Sequence, residues 1–364
     1  MPLAIQSIGT QRPAHTIRQD LAARIAVPLC CTSDRHARLL PALYRRSSVA
    51  DRGSVLMEHN GGPDPVQSFF PRPIDETDTG PTTHQRMIRY AQEATPLALG
   101  AARSAMERAG LLPSAVTQLV TVSCTGFSAP GVDVELIRQL GLSADVGRTH
   151  IGFMGCHGAL NAMRVAAAMA HAQPNACVLV CAVELCSLHF QYGWQPQHIV
   201  ANALFADGAA AAVCTPPVSD RGNTHWHLVA SGSCVLPESQ EEMGWHITDH
   251  GFVMTLSPTL PNLIRQHLAP WLGMWLNRHG HHLDEVASWA IHPGGPRILD
   301  AVANALGLPD AALEDSREVL ARCGNMSSPT VLFVLDRLLR RGAPRPCVAI
   351  GLGPGVAIEA AVFV

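Results

Sequence analysis

His150–Met169 reads THIGFMGCHGALNAMRVAAAM. A short apolar run ends in Gly155-Cys156-His157-Gly158, and a proline-free, alanine-rich segment follows directly. That segment predicts a buried helix, so Cys156 falls where a strand gives way to a helix N-terminus. Unpaired backbone N–H groups and the positive end of the helix dipole gather there. Both favour thiolate over thiol, and the thiolate is the nucleophile. Cysteine is also a common small core residue, so this stretch alone leaves both roles open.

The chain has 364 residues, of which 47% are hydrophobic and 15% charged. That suffices for a large core, either two fused domains or one duplicated unit. A formal net charge of −3 gives no electrostatic case for nucleic acid or an anionic membrane. Most of the eleven cysteines sit inside apolar runs, as reduced core cysteines do. The start, MPLAIQSIGTQRP, lacks a signal peptide's basic opening and long apolar stretch. No run reaches the roughly 18 uncharged apolar residues of a membrane span. The expectation is a reduced, cytoplasmic enzyme.

Working outward, LAIQSIG near the start reads as a strand, Ile17–Val27 as a helix and 61–81 as a Pro/Gly/Asp-rich loop. Arg86–Ala109 reads as a long helix stopped by Gly110. Leu119–Cys124 and Ala176–Val183 are uncharged β-rich runs, the pattern of strands buried on both faces. A helix at Val132–Leu140 and a strand at His150–Phe153 lie between them, and Asp207–Val213 closes the half. Strands alternating with helices argue for an α/β fold. Pro216–Asn223 is the linker candidate, dividing the chain into halves at 1–216 and 224–364. The second half offers strands at His225–Leu236 and Ser288–Ile291 and helices at about Leu260–Asn277 and Pro296–Leu306. A further helix runs to about Arg341, before strands at Pro346–Ile350 and Val356–Val364.

Both halves share one grammar. Gly155-Cys156 and Gly324-Asn325 each stand just before a long apolar helix, and each half ends in a glycine-bearing, alanine-rich strand pair. Internal repetition of this kind points to a duplicated unit. Facing halves would bring Cys156 and Asn325 together across a pseudo-twofold axis. His292 follows a buried strand and precedes a glycine pair. A thiolate needs a partner for its proton and charge, which histidine provides near neutral pH. Asparagine can donate to a developing oxyanion. Singly, His292 reads as a core histidine and Asn325 as a helix cap; their placement with Cys156 tilts the balance.

Six motifs then fall in order: VSCTGFSAPG (122–131), GFMGCHGALNAM (152–163), ALFADGAAAAV (203–213), WAIHPGGPRILD (289–300), GNMSSPTVLFVLD (324–336) and GLGPGVAIEA (351–360). Together they resemble the type III polyketide synthases, the chalcone and stilbene synthase-like enzymes, most strongly the bacterial members. The resemblance runs from about Arg35 to Val364. It implies a thiolase fold, with duplicated halves in five α-β-α-β-α layers, and a homodimer. It implies that Cys156 carries the growing chain as a thioester, with His292 and Asn325 as its partners, and that no metal or redox cofactor is needed. The substrates would be malonyl-CoA and an acyl-CoA.

The same resemblance makes Phe205 and Met254 gatekeepers between the CoA tunnel and the cavity. It sets Cys124, Thr125, Cys186, His189, Trp245 and Ser327 in the cavity wall. Arg46, and less clearly Arg45 and Arg52, fall near CoA-phosphate contacts. Plant enzymes have threonines at Cys124, Cys186 and His189 and glycine at Trp245, so chalcone-type specificity is not expected. Ala129 stands where plant enzymes carry a methionine crossing the dimer interface. MGWHITDHGF (243–252) looks more like bacterial enzymes that extend fatty acyl starters to alkylpyrones or alkylresorcinols.

The expected activity is therefore decarboxylative condensation of malonyl-CoA onto a medium or long acyl-CoA starter. The rival within enzymes is a malonyl-CoA-only synthase making a polyhydroxylated naphthalene or phenol, which Cys124 would suit. A different class is a non-catalytic, acyl-CoA-binding thiolase-fold protein; the intact Cys156, His292 and Asn325 argue against it. A cysteine hydrolase is disfavoured because the triad sits in condensing-enzyme motifs. His225, His227 and the cluster His279, His281, His282 have no acidic or cysteine partner spaced to complete a metal site.

Overall fold

The computed structural model describes residues 2–62, 64–217 and 225–364. The chain opens with β1 (Leu3–Gln11), β2 (Thr16–Arg18), α1 (Gln19–Cys30), α2 (Asp34–Arg45) and β3 (Asp51–Gly53). A long loop follows, then α3 (Thr83–Arg108). Thr82 and Gln85 start α3 as a capping box, each side chain accepting the other's backbone N–H. The first half continues through β4 (Gln118–Ser123), α4 (Val132–Leu140), β5 (Gly147–Gly152), α5 (Gly158–Ala172), β6 (Val178–Leu185), α6 (Pro196–Leu204) and β7 (Asp207–Thr215).

The second half is β8 (Trp226–Val235), β9 (Met243–Thr248), β10 (Gly251–Leu256), α7 (Leu260–Arg278), β11 (Ser288–Ile291), α8 (Pro296–Leu306), α9 (Glu314–Cys323), α10 (Thr330–Arg340), β12 (Cys347–Gly353) and β13 (Ala357–Phe363). Pro296 opens α8, where its missing N–H is harmless. Gly307, at φ 64°, closes it in the left-handed conformation that favours glycine.

Nine strands form one sheet, ordered β11-β12-β13-β8-β1-β7-β6-β4-β5. The duplication is written into that order. From β1 outward, β7 and β6 are each antiparallel to the last strand and β4 is parallel to β6. From β8 outward, β13, β12 and β11 repeat the same senses. The halves join through β1 and β8, where Leu3, Ala4 and Ile5 face Leu228, His227 and Trp226. Only β5 has no counterpart. In this correspondence α5 matches α10, both entering from a Gly-X turn.

Three separate cores make five layers. The outer core of the first half lies between α1 and α3 and the sheet. The central core holds α5 and α10 between the two half-sheets. The third lies between the second half-sheet and α7 and α8. Strand β7 shows why its sequence is nearly all alanine: Ala209, Ala211 and Val213 face the outer core, and Ala210, Ala212 and Cys214 the central one. Small side chains let helices approach both faces. On β1, a Cβ at Gly9 would come within 2.3 Å of the α3 backbone.

Helix α10 buries Val331, Leu332, Val334 and Leu335 completely. Each such side chain contributes roughly 1.5–3 kcal/mol, so packing rather than propensity holds this helix. The apolar character of α5 and α10 follows from their place in the middle layer.

Several boundaries differ from the sequence reading. The first helix starts at Gln19, because Thr16–Arg18 pairs with Asp51–Gly53. The strand before Cys156 ends at Gly152, because Phe153 turns to φ 57°. The hairpin of β9 and β10 has no sequence-based forecast. The core of the expected linker, 218–223, lies outside the described residues. Among those described, no helix is long and apolar enough to cross a membrane.

Candidate active site

The fold brings two equivalent pairs of chain positions to one place. Cys124 and His292 directly follow the matching strands β4 and β11, and Cys156 and Asn325 stand before the matching helices α5 and α10. The site thus sits where both halves present the ends of corresponding strands.

Cys156 occupies a single 3₁₀ turn, Gly155–His157, that leads into α5. Gly155 has φ 70°, and a Cβ there would stand 2.4 Å from Pro354 Cδ. Both facts demand glycine. Gly324, before Asn325, has φ 72°, and its Cβ would meet Ala206 at 2.8 Å. The Gly-Cys and Gly-Asn dipeptides are therefore the same tight approach built twice.

Asn325 is held by backbone and side chain. Its N–H donates to Leu204 O and its carbonyl accepts from Ala206 N, both at 2.9 Å, clipping it beside Phe205. Its Oδ1 accepts from Ser327 N at 2.8 Å, which leaves Nδ2 to donate; Gly294 O lies 3.4 Å away. The amide orientation is thus set by the protein. The side chains of Ser327 and Asn325 both come within hydrogen-bonding reach of Cys156. Ser327 also places its Oγ 3.3 Å from Cys124 Sγ.

Burial dominates the protonation states. It pushes the Cys156 thiol up to about 11, although hydrogen bonds from Ser327 and Asn325 pull the other way and Glu184 adds to the rise. Burial thus works against the thiolate that a helix end would favour, and helix α5 itself begins only at Gly158. His292 is 1% exposed, and among the described residues neither ring nitrogen has a hydrogen-bond partner. Burial, aided by His157, pushes its imidazole down to about 3. Burial therefore disfavours the charged form of each group.

Cys124, Thr125, Cys186, Phe205, Trp245, Met254 and Ser327 line one cavity with Cys156. Met243, Gly244 and Pro354 complete it. Trp245 and Met254 stand directly opposite each other on the β9–β10 hairpin. The Trp245 indole N–H donates to Cys124 O at 2.7 Å, and its ring lies 6.2 Å from Phe205.

Three further expected residues stand outside the Cys156 cavity. His189 lines the larger space that shares Cys186, Phe205, Trp245 and Met254 with it. Its Nε2 donates to Thr125 O at 2.6 Å, and its Nδ1 accepts from Phe252 N at 2.9 Å. It stacks on Phe252 at 4.2 Å, so it works as a buried clamp. Arg52 is buried, and its guanidinium donates to the carbonyls of Asn202 and Phe205. So placed, it supports the backbone of Phe205 and cannot reach a phosphate. Arg46 sits exposed at the C-terminal end of α2, outside the cavity wall.

One important group was not anticipated. Glu184 is fully buried and accepts from Cys124 N at 2.9 Å, Thr125 Oγ1 at 2.7 Å and Ser328 Oγ at 2.6 Å. It ties the end of β4 to the loop after Asn325, joining the two halves at the site. The available signal was a lone acid inside ACVLVCAVEL, since a buried carboxylate needs several donors. Among the described residues no group of three or more side chains is arranged to hold a metal. His282 pairs instead with Asn277.

Comparison with known proteins places this geometry. Residues 63–217 match the model of the chalcone and stilbene synthase N-terminal domain, and 227–364 that of the C-terminal domain. The chain is 32% identical over 360 residues to 1,3,6,8-tetrahydroxynaphthalene synthase of Streptomyces peucetius subsp. caesius, covering 98% of this chain and 91% of that one. It is 30% identical over 366 residues to the alpha-pyrone synthesis polyketide synthase-like protein Pks18 of Mycobacterium tuberculosis, covering 99% and 90%. The crystal structure of PKS-I from the brown alga Ectocarpus siliculosus superposes with a TM-score of 0.92 at 31% identity, covering 99% and 97% of the two chains.

Proposed function

The chain belongs to the chalcone and stilbene synthases, the type III polyketide synthases, and on that premise we propose that it condenses malonyl-CoA units onto a fatty acyl starter carried by Cys156. What supports this reading is that Cys156 and Asn325 stand on equivalent turns before α5 and α10, that Asn325 Nδ2 reaches toward Gly294 O just after His292, and that both His292 ring nitrogens lack a partner among the described residues.

In this mechanism His292 takes the Cys156 proton as the thiolate attacks the starter thioester, and coenzyme A leaves. Malonyl-CoA then enters and loses carbon dioxide. The electron pair left by the carboxylate moves onto the thioester oxygen, making an enolate. Asn325 Nδ2–H and a His292 N–H donate to that oxygen, and such preorganised donors supply much of the acceleration in sites of this type. The enolate carbon attacks the acyl-Cys156 carbonyl and expels the thiolate. Transfer of the lengthened chain back to Cys156 prepares the next round. Phe205 and Met254 gate the entry, and Arg46 meets the CoA phosphates at the surface. Cyclisation gives an alkylpyrone or alkylresorcinol.

Assembly as a homodimer is supported by the edge strand β5 beside exposed Phe127 and Phe153. An unpaired edge flanked by aromatics suits a second copy. A cytoplasmic place is supported by the buried, free thiols.

A starter-CoA panel with product masses tests the reading: acyl-dependent pyrones or resorcinols are expected. Cys124 favours one second reading, because its thiol lies in the same cavity as Cys156. The relative named a tetrahydroxynaphthalene synthase points the same way. Turnover of malonyl-CoA alone to a polyhydroxylated aromatic would establish that reading and displace the fatty starter.

A further inference from the structure

Helix α2 carries its charge on one side. Arg35, Arg38, Arg45 and Arg46 are all exposed, and at 3.6 residues per turn they fall within about 100° of one another around the axis. Leu39 is exposed beside them. Among the described residues none of the four guanidinium groups has a carboxylate or hydrogen-bond partner. The neighbouring α1 segment is built differently: Arg18 pairs with Asp20 at 2.6 Å, and Arg24 with Asp20 at 3.3 Å and Asp64 at 3.2 Å. The opposite face of α2 reaches toward the proposed gate. Leu40 and Tyr44 are buried there, and α2 packs on α6. Gln19 Nε2 joins the two by donating to Ser47 Oγ and to Ala203 O, both at 2.7 Å. The Arg52 guanidinium lies 5.7 Å from the centre of the Tyr44 ring and donates to Phe205 O at 2.9 Å. One helix thus braces Phe205 from within and presents unneutralised cations outside.

We propose that the outer face of α2 docks an acidic carrier protein, which delivers the starter as a phosphopantetheine thioester. The proposal rests on Cys156 as the residue acylated. Coenzyme A and such a carrier share the pantetheine arm, so both thioesters would pass Phe205. They differ in what stays outside. The phosphates of one coenzyme A gather around a single ribose, whereas Arg35 stands about 16 Å along the axis from Arg46. A protein supplies carboxylates along that whole length, and complementary charge speeds such encounters and sets their orientation. A membrane surface is a poorer match, because Leu39 offers little apolar area to bury in it. In the transfer, Cys156 Sγ bonds to the acyl carbon and the carbon–sulfur bond to the pantetheine breaks. The proton taken from Cys156 goes to the departing pantetheine thiol.

The test loads a bacterial fatty-acid carrier protein with decanoyl-phosphopantetheine and follows acylation of Cys156 by intact mass, beside decanoyl-CoA and decanoyl-pantetheine. The carrier thioester should react at least about tenfold faster than decanoyl-pantetheine, and the advantage should shrink as salt rises. In the double variant Arg35→Ala, Arg38→Ala the carrier rate should fall about tenfold, with the decanoyl-CoA rate and Tm unchanged. A carrier thioester no faster than decanoyl-pantetheine overturns the proposal while leaving Cys156 as the acylated residue. An equal fall for the carrier and CoA thioesters in the double variant does the same. No acylation by any of the three overturns both. Vesicles of phosphatidylcholine and phosphatidylglycerol give the last arm. If they bind the parent and not the double variant, while the carrier rates of the two are equal, the stripe belongs to a membrane surface and the proposal falls.

Discussion

Replacing Asn325 by aspartate isolates the oxyanion donor with almost no change in shape. Oδ1 keeps its bond from Ser327 N at 2.8 Å, so the retained oxygen stays where it is and the new oxygen takes the place of Nδ2. That oxygen faces Gly294 O, 3.4 Å away in the parent, and the Cys156 sulfur. An acceptor there meets an acceptor, and a buried group without a partner costs about 1–3 kcal/mol of stability. Loss of one preorganised donor lowers the rate by about 10²–10³, or roughly 2.7–4 kcal/mol of barrier.

The carboxylate would also repel a thiolate, so alkylation of Cys156 by iodoacetamide should slow. Burial favours the neutral acid, whose O–H can donate again; activity relative to the parent should therefore recover as the pH is lowered. The assay is acetyl-CoA release from malonyl-CoA, followed across pH, beside urea unfolding. A variant within threefold of the parent, or one whose relative activity falls at lower pH, would refute Asn325 as the donor to the enolate.

Further outcomes follow from other contacts. His189 is pushed down to about 3, chiefly by burial, while the unfolded chain protonates near pH 6.5. Its contribution is full above about 6.5 and drains as the pH falls toward 3. Asp207, pushed up to about 6, works in the opposite sense, so the parent-minus-variant difference is the useful quantity. In His189→Gln that difference should shrink by roughly 2 kcal/mol between pH 6.5 and 5 by urea denaturation. Gly155→Ala and Gly324→Ala each face a close neighbour at positive φ and should lose more than about 2 kcal/mol. Gly193→Ala, with φ 78° and open space around it, should lose only about 1–2. Arg52→Met should lower stability and kcat together by freeing the Phe205 carbonyl. Arg46→Ala should instead raise KM for CoA substrates, less at high salt, with unchanged stability.

The sequence was most legible where an element is uniform. Helices α4 and α8 and strand β11 begin and end at the residues expected, because glycine or proline marks their ends and their apolar pattern has one period. The repeat was legible from two dipeptides, and the repeated strand senses bear it out. The hairpin of β9 and β10 was not, since its strands pair only with each other in a separate sheet and interleave glycine, histidine and aromatic residues with apolar ones. Side-chain direction was harder still. His189 and Arg52 line the larger space beside the Cys156 cavity, yet the ring nitrogens of one bind backbone atoms of Thr125 and Phe252 and the guanidinium of the other binds the carbonyls of Asn202 and Phe205. Glu184 looked like an anomaly in a buried strand until its donors from both halves came into view. The turn that carries Cys156 was legible from its Gly-Cys dipeptide, but the burial that raises its thiol was not, because desolvation is a property of the assembled cavity.

The hairpin that carries Trp245 and Met254 belongs to neither half-sheet; it is a separate two-stranded ribbon, tied to the rest by bonds such as Trp245 Nε1 to Cys124 O and Phe252 N to His189 Nδ1. Cys156 and Asn325, the proposed nucleophile and oxyanion donor, stand on turns that lead into α5 and α10 of the central layer. Changes on the ribbon that spare these ties therefore leave the strand pairing of the sheet intact. Such an arrangement separates what can drift under selection from what cannot. The bond-forming machinery is inherited as a frozen unit, while the dimensions of the space around it stay open to experiment by evolution or by design.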